Sequence, residues 1–539
     1  MKKIFLLLSL VLVMTSCLNE NDKGMLSEEE TYSDKSSLEK NTVAILYNYI
    51  GGSSDSQGLQ GTKYGVYDFN TFTTDEAIIP IRGGDWYDGG FWQNLYLHAW
   101  SANDDELNNT WNYLYKVVTL CNRSLRILKN NRGLLSDSEY AADRSEVRAV
   151  RAMFYFYILD MFGNVPLVTE DSVGLDSVKT SPRPKVYRWT VNELQEALPY
   201  LPKQRSNQAG YYYGRMTAPV AWFLLAKLAI NAEVYDDADW TDSQQPDGKN
   251  IFFTVDGQRL NAWQTTIAYA EKLKQMGYSL ESDESTDFST TNETSKENIF
   301  TIPMDPQRYT NRFLNLFRSR HYAHGSALGF DAENGSCATV SCVKAYGYGT
   351  DDVDSRFALN FYADTVKVDG NTVMLSNGKP LIYQPLEVKV NLTGSEYEKT
   401  AGARMAKYEI DRNAYDDGKL QSNDIVLFRY ADVLLMRAEA LLRNGDVTKS
   451  TVYMNLIRER AGMPDLSTAS LPNILRERLM ELQWEGWRRN DLIRFGRFCS
   501  AYDLRTPLTD EEKTHYTIVF PIPEKARELN KRLEQNPGY

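Results

Sequence analysis

The sequence holds 539 residues, 42% of them hydrophobic and 24% charged, with a net charge of −12. A chain of this size and apolar content buries a large core as one big or two ordinary domains, which excludes disorder along its whole length. The acidic balance excludes nucleic acid as a partner, because binding a polyanion needs clustered Lys and Arg to neutralise its phosphates.

At the N-terminus Lys2 and Lys3 precede an almost wholly apolar run, residues 4–14, followed by Thr15, Ser16 and Cys17. The run is too short to span a bilayer and reads as an export signal. Met14-Thr15-Ser16-Cys17 resembles the bacterial lipobox, with Met14 where Leu is usual; in that motif the signal is cut before the Cys and the Cys is acylated. The alternative is a plain secretory signal with a leftover Cys. Two or three acyl chains anchor a protein stably where one holds it marginally. The expected organisation is a signal peptide at 1–16, lipidated Cys17 with a polar tether at 17–40, and one helical domain at 41–539. No other apolar run approaches transmembrane length, so the lipid is the expected membrane attachment.

Helical periodicity dominates the rest of the chain. Residues 111–128 and 145–162 form one apolar pair, 218–235 and 261–276 a second, and 423–443 and 448–461 a third. In the last pair Ser422 or Asn423 can cap the first helix, Gly445 can close it, and Gly462 and Pro464 stop the second. The short turn Asn444-Gly445-Asp446 makes this pair an αα-hairpin of tetratricopeptide type. The expected fold is therefore mainly α: tetratricopeptide-like helical hairpins forming a partial solenoid, with long loop insertions. A minor β-hairpin is expected within 371–394, turning at Asn377-Gly378. Residues 308–350 are rich in Tyr, Gly, Asn and Arg without a stable period, as in a binding loop on a rigid frame. A short helix is expected to start near Thr339, with Tyr346 either buried in it or facing the loop.

Several blocks occur in order: Thr74-Asp75-Glu76; 146–168, ending in Phe162-Gly163-Asn164-Val165-Pro166; Gly214-Arg215-Met216-Thr217; Phe428-Arg429-Tyr430-Ala431-Asp432; Asn455-Leu456-Ile457-Arg458; Glu485-Gly486; Asp491-Leu492-Ile493-Arg494; and Asn536-Pro537-Gly538-Tyr539. The ordered set resembles the SusD/RagB-like family of nutrient-binding outer-membrane lipoproteins. Most of it reads as structural: Gly163 and Gly486 suit positive φ or close backbone approach. Arg148, Arg151, Glu485, Arg488, Asp491 and Arg494 can lock the hairpins through ion pairs. The resemblance implies a glycan-binding protein that serves a SusC-like TonB-dependent transporter, acting over it as a lid without covalent chemistry.

A glycan site needs aromatic plates for the C–H faces of sugar rings and a few hydrogen-bonding side chains. Asp75 is one candidate, and Trp86, Tyr87 and Trp92 are others in a glycine-flanked stretch, 83–92, just after it; glycines on both sides argue for a loop. Trp86 can alternatively fold back onto the core. Family resemblance places the other half of such a platform in the central loop, where Tyr309, Arg320, Tyr322 and Asn334 are the candidates. Some relatives carry a stacking Trp after an Asn-Gly there; Asn334-Gly335 is followed by Ser336-Cys337, which argues against a starch-like aromatic arc.

Two rival functions remain from residues alone. A glycoside hydrolase needs two carboxylates across a substrate, and adjacent pairs such as Asp75-Glu76, Asp104-Asp105 and Asp351-Asp352 are poorly placed for that. An assembly scaffold without glycan binding is the other. No GxSxG elbow, P-loop, Rossmann glycine set or HExxH motif occurs, so no cofactor is expected. His321 and His324 lack an evident third ligand, so no metal is expected either. Cys337 and Cys342 are close enough in sequence to pair, or serve as two small buried thiols.

Overall fold

The structure, a computed structural model, describes residues 31–52, 56–171, 173–242, 244–306, 313–414 and 420–539. The expected signal, Cys17 and most of the tether lie outside these residues, as does Tyr309.

The frame is a succession of helices: α1 Asp105–Asn130, α2 Asp137–Phe162, α3 Arg183–Ala197, α4 Ala218–Ile230, α5 Ala262–Gln275, α6 Tyr430–Arg443, α7 Val447–Arg460, α8 Leu471–Leu482 and α9 Arg488–Arg494. Each packs on the next in the pairs α1/α2, α2/α3, α4/α5, α5/α6 and α6/α7, while α8 packs on α6 and α9 on α8. This is the expected mainly α arrangement of tetratricopeptide-like hairpins with insertions. Local chemistry explains the starts. Ser136 and Glu139 close a capping box on α2, Asn261 and Gln264 close one on α5, and Asp446 accepts from the Lys449 amide at α7. Gly163, Gly277, Gly445 and Gly462 follow helix ends with φ of 64°, 87°, 98° and 64°. At Gly163 a side chain has no room either, since a Cβ there meets the Trp240 ring at 2.5 Å.

Beside the earlier starts of α1 at Asp105 and α2 at Asp137, two boundaries differ from expectation in kind. Residues 425–429 are a strand, not the start of α6: Ile425–Arg429 pairs antiparallel with Asn298–Ile302, and every residue of both strands is buried. A continuous apolar run buried on both faces carries no period that separates strand from helix. Accordingly neither Ser422 nor Asn423 caps α6; Arg429 stands at its N-cap without a side-chain cap. The second boundary is Asn231, which breaks the expected 218–235 helix into α4 and a short turn Ala232–Tyr235; its Nδ2 donates to the Lys227 carbonyl and to Asn490.

The expected β-hairpin is present in altered form. Gly378 turns with φ 76° beneath a Met374–Pro380 bridge, but Asp364–Thr365 pairs with Ile382–Tyr383 and an additional tight turn lies at Asp369-Gly370. The helix capped by Thr339 runs Val340–Ala345, and Tyr346 is buried behind it.

Buried charge ties the hairpins together. Arg429 bonds Glu297, Glu481 and Glu485, with Lys407, Arg460 and Arg356 joining the same carboxylates. Arg494 bonds Glu439 and Asp491, and Arg148 pairs with Glu193. Such networks add little net stability, because desolvation offsets most of the Coulomb gain. The four described cysteines are free and buried, and Cys342 Sγ lies 3.1 Å from Gln483 Oε1. Among the described residues no helix is long and apolar enough to cross a membrane.

Candidate functional site

The glycine-flanked stretch forms a loop that bends sharply. Gly83, Trp86, Asp88, Gly89 and Gly90 all have positive φ, and the chain then enters the helix Phe91–Leu97. Non-glycine residues adopt this region at a cost, so Trp86 and Asp88 must be held by contacts. They are. Asp88 Oδ2 accepts from Trp92 Nε1 at 2.7 Å and from the Tyr64 hydroxyl at 3.1 Å. Gln93 Nε2 donates to the Trp86 carbonyl, and Trp86 Nε1 donates to the Glu333 carbonyl, each at 3.0 Å.

The central loop meets this stretch from the opposite side. The amides of Glu333, Asn334 and Gly335 donate to the carbonyls of Phe317, Arg320 and Arg318, folding 333–335 back onto the preceding helical turn. Trp86 lies directly over Gly335: a Cβ there would sit 2.6 Å from the indole. Arg82, fully buried, clamps the junction by donating to the carbonyls of Gly335, Glu398 and Ala401. Burial, with Arg404 nearby, pushes its guanidinium down to about 9.

The outer surface of this junction presents half-buried Trp86, with Tyr87 58% and Tyr322 44% exposed. Between them Asp85 Oδ2 accepts from the Tyr322 hydroxyl at 2.9 Å and from Lys399 Nζ at 2.8 Å. The hydrogen bonds from Lys399 and Tyr322 hold the Asp85 carboxyl below its ordinary range, whereas burial and Asp85 push the Tyr322 phenol up to about 12. Lys63 Nζ sits 5.4 Å from the Trp86 ring and 2.7 Å from Glu333 Oε2. The result is an aromatic surface edged by fixed donors and acceptors. It can stack a ring and hydrogen-bond its substituents; it holds no apposed pair of free carboxylates.

The sequence candidates divide accordingly. Tyr87 and Tyr322 are exposed and Trp86 is half-buried, and the Tyr322–Asp85 hydrogen bond joins the two loops that carry them. Trp92 does not join them there: it is fully buried, stacked on Tyr64 at 5.1 Å and edge-on to Trp86 at 5.9 Å. It supports the platform from beneath, because its indole finds both apolar neighbours and an acceptor inside. Arg320 is likewise buried, over the Tyr362 ring, with Nη1 on the Leu316 carbonyl. Asn334 is 1% exposed and takes a φ of 53° where the loop turns. Asp75 bonds Arg488 through both oxygens at 2.7 Å, so its carboxylate is committed to an ion pair. Its neighbour Glu76 is buried, accepting from the Trp484 amide and Gln483, and burial pushes it up to about 8.

His321 and His324 are driven down to about 4 and about 3, chiefly by burial, and no three-residue metal-ligating group occurs among the described residues. Asp85, Lys63, Tyr64 and Lys399 escaped the sequence reading. Asp85 stood inside the quoted loop and carried a signal; Lys399 lies over 300 residues away in a turn with none.

The chain is a helical-hairpin frame that carries exposed aromatic side chains on long insertions. Two family models match the chain: one described as the SusD family over 350–539, and one described as starch-binding associating with outer membrane over 29–229. The chain belongs to the SusD/RagB-like family. The starch-binding protein SusD of Bacteroides thetaiotaomicron is 23% identical, over 98% of this chain and 96% of its own. Among solved structures, a SusD-like protein of Bacteroides fragilis has a TM-score of 0.72 at 20% identity, covering 95% of this chain and 99% of its own. A laminarin binding SusD-like protein has a TM-score of 0.70 at 19% identity, covering 94% and 100%.

Proposed function

We propose that this protein captures oligosaccharide or polysaccharide on the platform of Trp86, Tyr87 and Tyr322, with Asp85 and Lys399 hydrogen-bonding ring hydroxyls. The observation that carries the reading is the convergence of two distant insertions on one exposed aromatic surface around the Asp85–Lys399–Tyr322 cluster. The starch and laminarin binding named for its relatives support a glycan as ligand. Capture needs no bond cleavage, and the carboxylates beside the platform are each already engaged, Asp85 by Lys399 and Tyr322, Asp88 by Trp92 and Tyr64, and Glu333 by Lys63, which favours binding over hydrolysis. In the full account Cys17 carries the lipid, the protein faces the cell exterior from the outer membrane, and bound glycan passes to a SusC-like TonB-dependent transporter. Each of these rests on the N-terminal motif and on family membership.

Affinity electrophoresis through gels containing neutral polysaccharides, wild type against Tyr87→Ala, tests the site. Retention by at least one glycan, lost in the variant, is expected. Wild-type retention that Tyr87→Ala leaves unchanged would remove the site assignment, and release of reducing ends would favour a hydrolase.

A further inference from the structure

The insertion between α4 and α5 builds a cleft that shares no residue with the platform. Phe252–Val255 and Gln258–Asn261 form a hairpin closed by Asp256 and Gly257, whose φ of 50° and 78° are the left-handed pair that a two-residue turn needs. Its first strand alternates: Phe253 and Val255 are buried, whereas Phe252 and Thr254 are exposed. The hairpin packs on α3, where the Phe253 and Tyr187 rings meet edge-on at 6.4 Å and Gln195 Nε2 donates to the Thr254 carbonyl at 2.9 Å.

Between α3 and the hairpin lies a cleft of about 390 Å³, inside the roughly 300–1,000 Å³ common for ligand clefts. One wall is a single stripe of α3, Arg188, Val191, Asn192 and Gln195, at the spacing that shares a helix face. Asn250 and Phe252 line the opposite wall, so an aromatic ring and polar side chains border one space. Phe252 is 44% exposed, and the Arg259 guanidinium lies over its ring, 3.4 Å from the centroid. A ring held in this way loses little freedom when a ligand packs on its exposed part.

The polar groups are free to bond. Asn192 is exposed and its side chain makes no hydrogen bond to any described residue. Asn250 is exposed too, with Nδ2 reaching Asp247 at 3.4 Å and Oδ1 open. Arg188 and Asp236 are the charged residues that line the cleft, and two hydrogen bonds of 2.9 Å join them, leaving Arg188 Nη1 uncommitted. Paired charges give the cleft no net charge, which favours a neutral ligand. Amides donate and accept, as sugar hydroxyls do. We propose that this cleft is a second binding site for neutral glycan, with a sugar ring against Phe252 and its hydroxyls bonded by Asn192, Asn250 and Arg188.

The proposal rests on the glycan reading but not on the platform. Two modest sites on one folded body would retain a long polysaccharide far more strongly than a short oligosaccharide, because the second contact becomes intramolecular. The test is affinity electrophoresis of wild type, Tyr87→Ala, Phe252→Ala and Asn192→Ala through gels of the same neutral polysaccharides, with circular dichroism to verify folding. Phe252→Ala should weaken retention about three- to ten-fold, as loss of one ring contact does, and the double variant with Tyr87→Ala should lose more than either alone. Asn192→Ala removes no hydrogen bond inside the protein, so weaker retention in that variant reports on the ligand. Retention unchanged in Phe252→Ala and Asn192→Ala, with loss in Tyr87→Ala, overturns the second site and leaves the platform standing. Loss in Phe252→Ala and Asn192→Ala with none in Tyr87→Ala supports this cleft and overturns the platform. Retention equal in all four proteins, or a folded wild type retained by no polysaccharide, overturns both.

Discussion

Replacing Asp68 by Asn probes the foundation of the platform. Arg318 donates to Asp68 through Nη1 at 3.0 Å and Nη2 at 2.5 Å, and both side chains are almost wholly buried. The same guanidinium lies 5.2 Å from the Trp92 ring and 5.0 Å from Phe72, while the Arg318 carbonyl receives the Gly335 amide. Asp68 also accepts from the Tyr64 amide at 2.7 Å. Asn keeps the shape but removes the charge, leaving a buried cation without its partner. Breaking a buried pair in this way costs about 3–5 kcal/mol, against about 0–1 kcal/mol for an exposed pair. Equilibrium urea unfolding measures the loss. The double variant Asp68→Asn with Arg318→Met should recover much of it, since removing both charges also removes the desolvation cost. A single-variant loss below about 1 kcal/mol would refute the claim that this pair holds the junction.

Other consequences are open to measurement. Glu76 is raised by burial from its ordinary 4.5 to about 8, so its contribution to stability is fully present below about pH 4.5 and is lost as pH rises toward 8. Glu76→Gln should therefore gain on the wild type by a few kcal/mol between pH 5 and pH 8; a pH-independent difference would contradict the assignment. Gly335→Ala should reduce glycan retention by displacing the Trp86 indole, with a stability cost of about 1–3 kcal/mol from overpacking; unchanged retention would separate Trp86 from the site. Thiol titration of denatured protein lacking Cys17 should count the four free cysteines without reductant, and reductant should leave the melting temperature unmoved. A count of two would show a disulfide.

Much of the frame was legible because helix periodicity, caps and terminal glycines agree along α2, α5 and α7. The strand Ile425–Arg429 was not: buried on both faces, it reads the same as helix until its partner, residues 298–302, is known. At the site, Gly83 and Gly90 announced a loop, and Trp86 and Tyr87 were visible as its aromatics. Burial was what the sequence withheld. Trp92 lies two residues past Gly90, as glycine-flanked as its neighbours, yet the turn of the helix Phe91–Leu97 directs it inward. Arg320 and Asn334 had sugar-binding chemistry but are buried within the central loop. Asp75 drew attention within a family block, and its Arg488 partner lies more than 400 residues away. Long-range pairing of this kind leaves no local trace.

The central claim is capture of a neutral glycan at the Trp86–Tyr87–Tyr322 platform. Calorimetric titration of the folded wild type and Tyr87→Ala with neutral oligosaccharides, including laminarihexaose and maltoheptaose, tests it most directly. Saturable binding of at least one oligosaccharide by the wild type is expected, with an affinity at least about three-fold lower in Tyr87→Ala. Equal binding by the two proteins, or no binding by the wild type to any oligosaccharide, would contradict it.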